Sequence, residues 1–170
     1  MKHILSVSAA VVAAGLATSA AGASAPPGRA SIVLHLHAPA NRALPMFDPV
    51  NEKRWAPEWN PTLLGDARVA AGLVFTTEDE HGRATWLLDR YDGRAREVRY
   101  VVTRPTTLTI IDIAVVPDGH AASIATVTYT RTALEPSAAS SVDEFVRHFA
   151  LQGPHWESAI NAALSSEAGG

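Results

Sequence analysis

Asp112 is the residue whose type least suits its surroundings. It stands in the apolar run Thr109-Ile110-Ile111-Asp112-Ile113-Ala114, where an unpaired buried carboxylate would be costly. Facing inward it would need a cation, and Arg90 is the natural partner. Such a pair could orient a polar ligand group or perform acid–base chemistry. Facing outward it is simply a solvated strand residue. His148 adds a group that titrates near neutrality and could serve as a general acid or base; a solvated place on a helix boundary explains it equally. His35 and His37 share the His-x-His spacing of metal sites, but no third ligand is evidently placed to join them, so no metal is expected. A Gly-x-Ser-x-Gly elbow, a phosphate-cradling glycine loop and a His-Glu-x-x-His pair are all missing from the sequence, so neither nucleophilic catalysis nor a cofactor is expected.

Aromatic residues form the second set. Trp55 and Trp59 each combine a large apolar surface with one N–H donor, a combination suited to the lip of a pocket. Plugging the end of a barrel-like sheet would use them as well. Trp86, Leu88 and Arg90 alternate on one strand face, as do Val98, Tyr100 and Val102 on another. If those faces point inward, Trp86 and Tyr100 line a cavity. With Phe75, Tyr129, Phe145 and Phe149, and with Asp112, they make up the candidate ligand-binding set; core packing is the competing use of every aromatic in it.

The elements that must position these residues follow from periodicity. Ser31 to His37 alternates, with Ile32, Leu34 and Leu36 on one side, and reads as a half-buried strand. Short helical pieces follow within 41–55, and the prolines of Trp55-Ala56-Pro57-Glu58-Trp59-Asn60-Pro61 forbid a regular helix there. Segments 62–64, 72–77, 84–91, 96–103, 106–116 and 121–134 then read as consecutive strands. Glu80-His81-Gly82, Asp92-Gly93 and Pro117-Asp118-Gly119 supply turn chemistry between them, which gives an antiparallel meander. The period changes at Val142, Phe145, Val146 and Phe149, a helical stripe continued by Trp156, Ile160, Ala163 and Leu164. Ser141 and Glu144 have the form of a capping box, and Gly153-Pro154 should kink or split the helix. A meander with one apolar face must be covered, and this terminal helix is long enough to do it. The expected fold is α+β, a curved antiparallel sheet wrapped around a C-terminal helix and enclosing an apolar space.

Bulk properties set the context. Lys2 and His3, an apolar run from Ile4 to about Ala17, and small residues to Ala23 have the order of a secretory signal peptide over 1–23. The run is too short and too diluted by alanine and glycine for a membrane span. The chain is therefore expected to be exported, to the periplasm or beyond, with a flexible lead-in at 24–30, one domain over 31–165 and a disordered tail at 166–170. The formal charge is −3, and Lys53 is the single lysine after residue 23, so no basic face exists for nucleic acid. Cysteine is absent, which removes disulfides and thiolate chemistry.

The segment Arg54-Trp55-Ala56-Pro57-Glu58-Trp59-Asn60-Pro61 resembles the START-like, or helix-grip, superfamily, which includes polyketide cyclases, pollen-allergen-like proteins and lipid-transfer domains. Phe47-Asp48-Pro49, Gly72-Leu73-Val74-Phe75-Thr76-Thr77, the Trp86–Tyr91 strand, Val127-Thr128-Tyr129-Thr130-Arg131-Thr132-Ala133-Leu134, His155-Trp156-Glu157 and Ala162-Ala163-Leu164 match in the same order. The resemblance implies a cavity for a small hydrophobic molecule, a lipid or an aromatic, polyketide-like compound, and supplies no shared catalytic residue. Three functions are compatible with it: a non-catalytic binding protein, a cyclase- or hydratase-type enzyme using Asp112, Arg90 and His148, and an envelope interaction module. Oligomeric state is not encoded in any of these features.

Overall fold

A computed structural model of the protein describes residues 26–168; the proposed signal peptide and Gly169-Gly170 lie outside them. Seven strands form one antiparallel sheet in the order β1-β7-β6-β5-β4-β3-β2. They are β1 (Gly28–Leu36), β2 (Thr62–Leu64), β3 (Val74–Asp79), β4 (Gly82–Asp92), β5 (Glu97–Thr103), β6 (Thr107–Asp118) and β7 (Ala122–Ala133). β2 to β7 are the expected meander, and β1 closes onto its last strand. Between β1 and β2 lie the short helix α1 (Ala40–Ala43) and two 3-10 turns, Leu44–Phe47 and Glu52–Arg54. The chain ends in α2 (Ala139–Phe149), a 3-10 turn (Ala150–Gln152) and α3 (Gly153–Ala168).

Alternation decides which face is the core. Ile32, Leu34 and Leu36 of β1 are buried, as are Val98, Tyr100 and Val102 of β5, and Ile111, Ile113 and Val115 of β6. Helices α2 and α3 lie against β1 and β7 and contribute Val142, Phe149, Ile160 and Leu164 to the same interior. α3 also completes the outer edge of β1. The backbone N–H groups of His35 and His37 donate to Glu157 Oε2 and Asn161 Oδ1, both at 2.7 Å, and Asn161 Nδ2 donates to the His35 carbonyl at 2.9 Å. Side chains of a helix thus replace a missing strand, and the open edge is covered.

The residue pattern is corrected at five places. β1 begins at Gly28, so Gly28 to Ala30 belong to the sheet, opposite Arg131 to Tyr129, and are not a flexible lead-in. α3 runs to Ala168, so 166–168 are helical and not a disordered tail. The helix divides near Gly153-Pro154 as expected, but Pro154 sits in the first turn of α3, where a missing N–H costs nothing. Ser141 is inside α2, its hydroxyl donating back to the Ala138 carbonyl at 2.8 Å, so no capping box forms. Between β4 and β5 the positive φ belongs to Arg96, at 60°, while the Asp92 carboxylate organises the turn by accepting from the N–H groups of Arg94 and Ala95.

Candidate functional site

The short segment between β1 and β2 is held over one end of the sheet by its aromatic side chains. The Trp55 indole donates to the Met46 carbonyl at 2.6 Å, the Trp59 indole to the Pro49 carbonyl at 2.9 Å, and the Tyr100 hydroxyl to the Phe47 carbonyl at 2.8 Å. Asp48 is buried, and its Oδ1 accepts from the N–H groups of Val50 and Asn51. Each polar tip finds a backbone partner, so the apolar bodies can be buried without penalty.

Two aromatic clusters result. Phe75 stacks on Trp86 at 5.4 Å between ring centroids, with Trp59 and Tyr100 edge-on to both. Opposite them, Tyr129 meets Phe145 and Phe149, and Trp156 bridges Phe149 to Trp55. Between the clusters, and between the sheet and the α2–α3 helices, lies a hollow of about 320 Å³. Its walls are Trp86, Val102 and Ile111 from the sheet and Phe145, Phe149 and Trp156 from the helices. Tyr129, Thr109, Arg104, Arg131 and Gln152 add polar groups. A narrower recess of about 20 Å³ shares Trp86, Ile111, Tyr129 and Trp156 with the hollow and is bordered also by Phe47, Glu52, Trp55 and Tyr100.

The candidate set divides accordingly. Trp86, Tyr129, Phe145 and Phe149 line the hollow, and Trp55 and Tyr100 the recess. Trp59 and Phe75 border neither and support Trp86 from behind, so the Trp55–Trp59 pair forms no lip. Asp112 is on the outer face, its side chain 44% exposed and bound to Arg99 at 2.6 Å. Arg90 is not its partner but pairs with Glu97 at 2.7 Å. The cause is a bulge. Leu88 faces Tyr100, but Asp89 is an extra residue, so Arg90 comes opposite Arg99 and Tyr91 opposite Val98. One inserted residue turns every later side chain to the other face. His148 is exposed on α2. The acid–base set Asp112, Arg90 and His148 therefore faces solvent and does not converge on the hollow. His35 and His37 are likewise exposed, and among the described residues no group of three potential ligands surrounds a point where a metal could sit.

Glu52 is the group that periodicity does not reveal. Although the residue is only half-buried, its carboxyl is enclosed by protein at the recess. Burial first, then the nearby Asp48 and Glu58 carboxylates, push its pKa up from 4.5 to about 8. The phenols facing the same space respond: burial and then the Glu52 charge push Tyr129 up and Tyr100 well up. A protonated carboxylic acid and the Tyr129 phenol can donate hydrogen bonds to an otherwise apolar guest, whereas the Tyr100 hydroxyl already donates to the Phe47 carbonyl; the acid can exchange its proton near neutrality. Arg131 carried a signal that was available, because it lies two residues from Tyr129 and alternation puts both on one face.

No family model matches the sequence, and no curated protein does. Solved structures do resemble it in three dimensions. A point mutant of norcoclaurine synthase from Thalictrum flavum in complex with a transition-state analogue matches with a TM-score of 0.65 at 13% identity, over 84% of this chain and 96% of that one. The same enzyme in complex with dopamine and hydroxybenzaldehyde matches with a TM-score of 0.60 at 14% identity, over 95% and 96%. Ara h 8.0201 matches with a TM-score of 0.59 at 10% identity, over 82% and 99%. At such identities the likeness is one of fold. With one antiparallel seven-stranded sheet, a short helical segment after β1 and a terminal helix, the chain has the helix-grip fold.

Proposed function

We propose that this protein binds a small hydrophobic molecule, aromatic or lipid-like, in the hollow between the sheet and α2–α3, and that it does so outside the cytoplasm. The observation that carries the reading is a space of about 320 Å³ walled by Trp86, Ile111, Phe145, Phe149 and Trp156, at the lower end of the range of small-molecule sites. The complexes of norcoclaurine synthase with small aromatic compounds give the reading support from a shared fold. Native mass spectrometry of protein purified from its own host tests it: co-purifying small molecules are expected. Bare polypeptide alone, with no thermal shift across neutral aromatics and lipids, would count decisively against it. Export rests on the residue order of 1–23. Mature protein beginning after Ala23 in the extracytoplasmic fraction is expected, and an intact Met1 in the cytosol would refute it.

A second reading, an enzyme working at this site, is favoured by one arrangement: the Glu52 carboxyl is enclosed at the recess that adjoins the hollow and shares Tyr129 with it, and burial there raises its pKa to about 8. Such a perturbed carboxylic acid in a concave site is a general-acid candidate. Incubating host small-molecule extracts with the wild type and with Glu52→Gln separates the two readings. A compound consumed by the wild type and spared by the variant identifies an enzyme; equal profiles leave the binding protein.

A further inference from the structure

Arg131 is a cation without a counter-charge inside this hollow. Its Nε donates to Thr109 Oγ1 at 3.1 Å, and its guanidinium carbon lies 3.7 Å from the centroid of the Phe145 ring. Both contacts fix the plane of the group, and neither neutralises it. Arginines elsewhere along the sheet are treated differently. Arg90 has Glu97, Arg99 has Asp112, and Arg104, at the same mouth of the hollow, holds Asp79 through both terminal nitrogens and the Gly82 carbonyl through one. Among the described residues no carboxylate pairs with Arg131. Burial lowers its pKa, yet a guanidinium stays charged in proteins. Arg131 and Gln152 both line the hollow. The carboxyl of Glu52 lies at the adjoining recess, not in the hollow beside Arg131.

We infer that the ligand is an amphipathic acid, whose apolar body lies between Trp86 and Trp156 and whose carboxylate or sulfonate head is held by Arg131. The inference rests on the proposed ligand-binding role of the hollow and specifies its ligand class. Only an anion supplies what Arg131 lacks, and a planar guanidinium braced by an aromatic ring suits a planar carboxylate well. Aromatic acids and fatty acids share this chemistry.

The test uses two fluorescent probes of nearly the same shape, 1-anilinonaphthalene-8-sulfonate and the neutral N-phenyl-1-naphthylamine, titrated into the full chain. The wild type is expected to bind the sulfonate about tenfold more tightly than the neutral probe, the scale of one charge-assisted hydrogen-bonded contact. Arg131→Gln should abolish that preference, the ratio of the two affinities falling to about one, while Arg131→Lys should restore part of it. Equal affinity of the wild type for both probes overturns the head-group assignment and leaves the cavity reading intact. Binding of neither probe overturns both. The wild-type comparison needs no variant, so it decides the matter even if Arg131→Gln folds poorly. Displacement of the sulfonate by dodecanoate and not by 1-dodecanol assigns the site to fatty acids, and displacement by 2-naphthoate and not by 2-naphthalenemethanol to aromatic acids. Displacement by the neutral compounds as effectively as by the acids refutes the inference.

Discussion

Glu52 and Asp112 show how little a residue's type says before its surroundings are fixed. Asp112 sits in the most apolar run of the strands and faces water; Glu52 sits in the polar stretch Asn51-Glu52-Lys53-Arg54 and faces aromatic rings. The consequence for pH is specific. Below about pH 4.5 Glu52 is protonated in folded and unfolded chains alike. From there to about pH 8 the unfolded chain releases the proton and the folded chain keeps it, so Glu52 makes stability fall across this window. Glu52→Gln should flatten that part of the profile and stabilise the protein at pH 8 by about 1–3 kcal/mol, the cost scale of an unsatisfied buried polar group. Denaturant unfolding at pH 4.5 and pH 8 measures it, and an unchanged difference would contradict the account. Asp112→Ala, by contrast, removes an exposed ion pair with Arg99 and should cost no more than about 1 kcal/mol without changing ligand affinity. The outward side of Asp112 was legible in one respect only: Ile111 and Ile113 flank it, and the two faces of a strand alternate.

At the scale of elements, periodicity was sufficient for the strands and the terminal helix, because each buries one face of a regular repeat. It failed where a single residue breaks the repeat. Arg90 follows Trp86 and Leu88 at spacing two, and its inward placement would be right without the Asp89 bulge. Pro154 breaks the helical stripe, yet it opens α3 because the backbone needs no donor there. The approach of β1 to α2 makes a further demand. A Cβ on Gly28 would come within 2.5 Å of Val142 Cγ1 and 2.8 Å of Val146 Cγ2, and β-branched side chains on a helix have little freedom to move away. Gly28→Ala is expected to cost about 1–3 kcal/mol, the range for overpacking, read as a lowered midpoint of chemical unfolding with an unchanged slope. Gly65→Ala meets no neighbour within 4 Å and would reflect only the strain of a positive φ, here 71°, which separates the steric cause from the conformational one.

Taken whole, the molecule is a sheet that cannot close upon itself and a helical segment that cannot fill it. The terminal helix lies against β1 and β7, and Phe145, Phe149 and Trp156 reach toward Trp86 across the space left open. That incompleteness makes ligand occupancy a stability term. A molecule present at a hundred times its dissociation constant adds about 2.7 kcal/mol, a rise of roughly 5–10 °C in midpoint for a domain of this size. Trp86→Ala should remove the effect and enlarge the hollow, at a cost of about 3–5 kcal/mol to the unliganded protein. A thermal shift that survives in Trp86→Ala would place the ligand elsewhere.

Local order was decided by the amino-acid sequence alone. It specified which segments are strands, that they follow one another as hairpins, that the terminal helix has one apolar side, and which aromatic residues belong to the interior, since each is written in the repeat of a few adjacent residues and in turn chemistry. Tertiary structure decided which interior residues border empty space and which fill it. Trp59 and Phe75 pack behind Trp86, Arg131 faces the hollow with no carboxylate partner among the described residues, and the recess at the Glu52 carboxyl is lined from β4, β5, β6, β7 and α3. No repeat within one segment can encode such an enclosure, because a cavity and the pKa of a group inside it are properties of surfaces that meet only when distant parts of the chain are folded together.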